Sequence, residues 1–178
     1  LIINGNELPI NFFKEIHNLK NKPQLFLYLW DSITRLKVNK EYFSFFTKVF
    51  SFDKKDSDAD PDILFRPLFY VDSKIMPLIP YEDRIYDITI ISVANEKRLA
   101  VCKKILLAFK DISHINIKIY LYCGFSDYFR NIFTNHDRIT FLKSINLNEY
   151  YKILSDSKCL VDIGHDNQTG LSMRCIEA

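Results

Sequence analysis

Hydrophobic and polar positions along this chain follow two rhythms, short apolar runs and longer stretches with helical spacing. "LIING" is a short apolar run that ends in a turn glycine. In "PINFFKEIHNLKNK" the apolar positions Phe12, Phe13, Ile16 and Leu19 recur at helical spacing and predict a helix. "QLFLYLW" has the length and continuity of a buried strand, ended by Asp31-Ser32. "KEYFSFFTK" reads as a helix, "KVFSFD" as a strand, and the charged "KKDSDADP" as a solvated turn or short helix. "DILFRPLFY" closes this half as a strand whose ladder Pro67 limits.

A stretch bearing Pro77 and Pro80 then breaks the periodicity, and it predicts a linker at 76–86. The rhythm restarts beyond it. "YDITIISVA", "INIKIYLYCG", "RITFLKS" and "KCLVDIG" read as strands. "NEKRLAVCKKILLAFKD", "SDYFRNIF" and "NLNEYYKILSDS" read as helices between them, the last with Asn146 or Asn148 near its cap. Strands alternating with helices imply βαβ units. The expected fold is therefore α/β, two Rossmann-like domains with parallel sheets, one over 1–75 and the other over 87–178. The first block starts in mid-rhythm and the second stops within a helix, so the chain is expected to be a piece of a longer protein.

Composition narrows the function classes. Among 178 residues 48% are apolar and 15% aromatic, which excludes general disorder. The net charge is +2 with no basic stripe, so no nucleic-acid surface is expected. No apolar run approaches the roughly 18 residues that span a bilayer. The cysteines Cys102, Cys123, Cys159 and Cys175 form no close pair, and the histidines are scattered, so no metal site is expected. "DKKDSDAD" (53–60) is acidic, but it lacks the glycine and the closing glutamate of a calcium loop.

Candidate chemistry concentrates after the strand "CLVDI". Ligands of open α/β sheets sit beyond the carboxyl ends of strands, and the loop Gly164–Gly170 lies in such a place. Gly170 would let a ligand approach the backbone, and the amides of Leu171 and Ser172 would open a helix and attract a phosphate. The plainer reading of the same residues is an ordinary helix start capped by Thr169. Glu177, seven positions beyond Gly170, would share a helix face with it and could accept from a ribose diol, or be a solvated surface residue. Arg174 could pair with phosphate or with Asp166. His165, Asp166, Gln168 and Thr169 are candidates to line the same loop. Asp31, at the end of its strand, is the candidate general base, or else a turn cap. Trp30 beside it could stack on a sugar or belong to the core.

The closing "DNQTGLSMRCIEA" resembles the Q-T-G-L-[ST]-M-R-x-I-E-A segment of a family of bacterial polysaccharide and lipopolysaccharide biosynthesis proteins, glycosyltransferases of the two-Rossmann-domain (GT-B) type. "LYLWDSI", "KVFSFDKKD", "LFRPLFY" and "YDITIISVANEKR" resemble that family as well, in order along nearly the whole chain. The resemblance implies transfer of a sugar from a nucleoside-diphosphate donor to a growing glycan or lipid-linked glycan. It implies a cytoplasmic setting, with peripheral contact at the inner face of the membrane, and no cofactor beyond the donor itself. Gly170 and Leu171 would face the diphosphate, Glu177 the ribose, and Arg174 would act beside them. Ser92 and Asn95 match a loop that lines the cleft. Two departures stand out. Ser92-Val93 replaces the usual Gly-Thr turn, and Thr169 stands eight positions before Glu177 where many retaining enzymes carry a second glutamate. Stereochemistry is therefore not inherited. A nucleotide-sugar epimerase of the same fold and a non-catalytic nucleotide- or glycan-binding module are the alternatives.

Overall fold

Four apolar runs of the first half assemble as one parallel sheet. In the computed structural model, which describes residues 1–4, 8–70, 79–126, 128 and 139–177, β1 (Ile2–Ile3), β2 (Phe26–Leu29), β3 (Lys48–Ser51) and β4 (Ile63–Phe65) lie side by side in sequential order. Register explains which residues are core. Ile2, Leu27, Val49 and Ile63 are paired across the four strands, and all four belong to one apolar cluster. Ile33 and Leu36 of α2 (Ile33–Leu36), with Val38, Phe43 and Phe46, cover that row. The helix α1 (Ile10–His17) adds Phe13, whose ring meets Tyr42, Phe45 and Phe46. The alternate row Ile3, Tyr28, Phe50 and Leu64 points to the opposite face, as a period of two requires.

Several predicted elements change form. "KEYFSFFTK" is a 3-10 helix, Lys40–Phe45, rather than an α-helix. The strand at "DILFRPLFY" stops at Phe65; the Arg66 amide makes a last bond to Ser51 O, 2.9 Å, and Pro67 has no amide with which to continue. The charged stretch does form a short helix, α3 (Lys54–Ala59), but it is not simply solvated. Its cap Asp53 and its first-turn Asp56 are both buried.

The second sheet is built differently. β5 (Ile88–Val93), β6 (Ile117–Tyr122) and β7 (Thr140–Phe141) are parallel neighbours in that order. On the other side of β5, where "KCLVDIG" predicts a full strand, residues 157–160 make two isolated parallel bridges, Tyr86 to Ser157 and Thr89 to Leu160. Backbone bonds at 2.8–2.9 Å join Thr89 to Cys159 and Val161. Strand order is thus β7, β6, β5, then 157–161, so the direction of winding reverses at β5. α4 (Glu96–Ala108) packs Leu99, Cys102 and Ile105 on Ile90, Ile119, Leu121, Ile139 and Ile163. α5 (Leu147–Ser155) is capped by Asn146, whose side chain accepts from the Glu149 amide at 2.9 Å.

The chain forms two compact units, whose bounds differ from those expected from the sequence. Leu1–Tyr70 and Gly164–Glu177 make one unit, and Val71–Ile163 belongs to the other. The closing segment expected in a second domain over 87–178 therefore packs with the first sheet. The physical reason is a set of polar bonds to the ends of β2 and β3, described below. The expected helix "SDYFRNIF" lies mostly outside the described residues, as do residues 76–78 of the expected linker. Residues Tyr81–Asp83 of that linker form a single 3-10 turn. Among the described residues, no helix is long and apolar enough to cross a membrane.

Candidate functional site

At the carboxyl ends of β2 and β3 the chain takes the same step twice, an aromatic followed by an aspartate: Trp30-Asp31 and Phe52-Asp53. Each strand then turns into a short helix whose cap is polar. The Ser32 hydroxyl accepts from the Arg35 amide at 3.2 Å and caps α2, and the Asp53 carboxylate accepts from the Lys55 amide at 3.1 Å and caps α3. Asp56 joins the two turns. Its Oδ2 accepts from the Ile33 amide at 3.1 Å and from the Ser51 hydroxyl at 2.6 Å, while Ser51 Oγ accepts from the Asp53 amide at 3.1 Å. The floor of the site is therefore a satisfied polar network. Satisfaction is what makes its burial affordable.

The closing segment lies on this floor. Ser32 Oγ donates to Asn167 O at 2.6 Å, and Gln168 Nε2 donates to Asp31 Oδ1 at 2.7 Å. Asp53 Oδ2 accepts from the Thr169 amide at 2.7 Å, and Asp53 Oδ1 accepts from the Thr169 hydroxyl. Asp53 is only 1% exposed. Burial pushes its carboxyl pKa up, and the Thr169 hydroxyl with the Thr169, Lys55 and Gly170 amides outweighs that push, so the group titrates below the ordinary carboxylate range.

Gly170 lies against the protein itself. A Cβ there would lie 2.6 Å from two carbons of the Phe52 ring and 2.8 Å from Phe52 O. The space a Cβ would need is filled by the protein itself, so the close approach of Phe52 requires a glycine here. The helix does not start at Gly170 either. It is α6 (Met173–Glu177), with the Cys175 amide bonded to Ser172 O at 3.1 Å. Leu171 and Ser172 thus precede the helix instead of forming its first turn, and Leu171 is 68% exposed. Thr169 does not cap that helix; its side chain is committed to Asp53.

The other candidates fall as follows. His165 shapes the turn, since its Nδ1 accepts from the Asn167 amide at 3.3 Å and its carbonyl from the Gln168 amide at 3.1 Å. Asp166 is exposed in that turn, and Arg174 and Glu177 are half-buried on α6. Asp31 pairs with Arg35 and with Gln168, both through Oδ1, and its side chain is 25% exposed. Trp30 packs edge-on to Phe69 and Tyr28 rather than lying open. A cavity of about 190 Å³ lined by Phe13, Leu27, Leu36, Phe46, Lys37 and Asn39 lies on the helix-covered side of this sheet, and none of the candidates lines it. Among the described residues, no three His, Cys, Asp or Glu side chains gather as a metal would require.

Ser92 and Asn95 belong to the second unit, at the carboxyl end of β5 where the winding reverses. Asn95 caps α4, its Oδ1 accepting from the Arg98 amide at 2.8 Å. Sequence reasoning passed over Arg98, whose guanidinium donates to Val93 O at 2.9 Å and to Ile163 O at 3.3 Å. It also passed over Ser32, Phe52, Asp53 and Asp56. The signal for Asp53 was available in the repeated aromatic-Asp step, since "FSFD" ends its strand as "YLWD" does.

The class that fold and site define is a parallel α/β protein with polar residues gathered at strand carboxyl ends. Comparison with protein-family models, with curated proteins and with solved structures finds no match to this chain.

Two outcomes follow. Gly170→Ala is expected to destabilise the folded chain by about 1–3 kcal/mol through overpacking on Phe52, read as a lower urea midpoint; an unchanged midpoint would mean that the Phe52 contact is absent. Asp53 has a native pKa below its unfolded value of about 3.9, so its contribution is fully present above that value. It is lost as pH falls through the native pKa, because the unfolded state then binds more protons. Urea midpoints measured from pH 6 down to pH 2 should fall less steeply for Asp53→Asn than for the wild type, and equal slopes would contradict the assignment.

Proposed function

We propose that this chain is part of a glycosyltransferase of the two-domain GT-B plan, one that takes its sugar from a nucleoside-diphosphate donor for a bacterial surface polysaccharide or lipopolysaccharide. The observation that carries the reading is the reversal of strand order at β5. Crevices beyond such a reversal are where open α/β sheets bind nucleotides. Ser92 and Asn95 stand at that edge, where α4 begins with the positive end of its dipole toward the strand ends. Arg98 brings a positive charge to the same strand ends. Immediately after Ile163 in sequence comes the segment whose Gly170, Leu171, Arg174 and Glu177 match the family motif.

The chemistry asked of these groups is modest. The bond from the anomeric carbon to the β-phosphate oxygen breaks, the acceptor hydroxyl oxygen bonds to that carbon, and its proton passes to a base. The leaving diphosphate gains negative charge, which backbone amides and a guanidinium stabilise without a metal. Asp31 suits the base role better than its turn position alone implies. Arg35 and Gln168 both bind Oδ1, which fixes the carboxylate and leaves Oδ2 to receive the proton.

Calorimetric titration with a panel of nucleoside diphosphates tests the reading. One member is expected to bind, and Glu177→Ala should weaken it by about 1–3 kcal/mol, the loss of a hydrogen bond to a charged group. Silence across the panel from the folded protein would overturn the proposal. Binding without any transfer to glycan acceptors would favour a nucleotide-binding module instead.

A further inference from the structure

We propose that Asp53 is a positioning residue: its carboxylate holds the backbone at Thr169 and Gly170 in one conformation and so fixes how Leu171–Glu177 is presented. The anchoring half of this inference stands on geometry alone; the ligand-positioning half rests on the donor reading above.

The cap of α3 does not require this residue. A helix N-cap needs one acceptor, and serine or asparagine supplies it at no cost in buried charge. Ser32 does that work for α2. A buried carboxylate is costly unless several donors surround it. Here the Lys55 amide is one donor, and the amide and hydroxyl of Thr169 are two more, contributed from 116 residues away in sequence. Both carboxylate oxygens are engaged by Thr169. The charge is thus explained by the closing segment rather than by the helix that the residue caps.

Position is also fixed from the other side. With Phe52 filling the space beside Gly170, the segment cannot slide toward the sheet, and with Thr169 bonded to Asp53 it cannot lift. The next residue, Leu171, is exposed. The amides of Leu171 and Ser172 are therefore offered from a fixed point. Asp53 touches no substrate in this account and acts only through Thr169 and Gly170.

The test uses the full chain, with amide hydrogen exchange and nucleoside-diphosphate titration on the same samples. Asp53→Asn places an amide donor against a Thr169 donor; Thr169→Val removes only the hydroxyl, and Thr169→Ser retains it. Exchange at Thr169 and Gly170 should quicken about tenfold or more in Asp53→Asn and less in Thr169→Val. β6 should be unaffected, nucleotide affinity should fall in the same order, and Thr169→Ser should restore wild-type values. If Asp53→Asn loses protection in β6 as well, the Val and Ser variants decide. Unchanged exchange in Thr169→Val and Asp53→Asn overturns the anchor. Faster exchange with unchanged nucleotide affinity overturns the positioning role. Faster exchange in a chain whose wild type binds no nucleotide supports the anchor and overturns the donor reading on which the second half rests.

Discussion

The carboxylate of Asp53, closed off from solvent, receives the amide and the hydroxyl of Thr169, and the arrangement of the first unit's carboxyl edge depends on that exchange. Without it a charge would be buried with only the Lys55 and Gly170 amides as donors, and the Thr169 amide would lose its acceptor. Leaving such groups unpaired costs about 1–3 kcal/mol each, more for a charge. That is large against the marginal stability of a domain. The Ser32–Asn167 and Gln168–Asp31 bonds then hold in register a segment that Asp53 has already located. Beneath them, Asp56 and Ser51 lock the turns after β2 and β3, so the anchor is itself anchored.

The two sheets are wound differently. The first winds in one direction, with a paired row of Ile2, Leu27, Val49 and Ile63 under its helices, and it supplies a rigid edge. The second reverses at β5 and places a capped helix, a guanidinium and two small polar residues at strand ends. The reversal supports a nucleotide reading; the sequential sheet does not call for one. Function in the proposed sense draws on polar side chains at strand ends, which the apolar cores fix without contributing chemistry themselves.

Much of this organisation is legible in the sequence. The stretches Leu25–Trp30, Tyr86–Ala94 and Ile115–Cys123 contain β2, β5 and β6; the first is a continuous apolar run, as a strand buried on both faces allows, and in β6 the buried Ile119 and Leu121 alternate with less buried neighbours. The Asn146 cap is legible because its side chain acts three residues away. What local pattern does not carry is partnership. The bonds joining the closing segment to β2 and β3 span 116 to 137 residues, so nothing near Thr169 reveals that it belongs to the first sheet. Gly170 illustrates the same limit. Its identity says that a close approach occurs, and only the fold says that Phe52 makes it. Asp53 and Asp56 sit in a run of charges that reads as solvated, yet backbone amides and hydroxyls meet them as the strand ends turn.

A double-mutant cycle between Asp53 and Thr169 tests the account at its centre. Unfolding free energies of Asp53→Asn, Thr169→Val and the pair give the coupling directly. The account predicts a coupling of about 1–3 kcal/mol, as for a hydrogen bond to a buried charge. Additive effects, with coupling near zero, would contradict it.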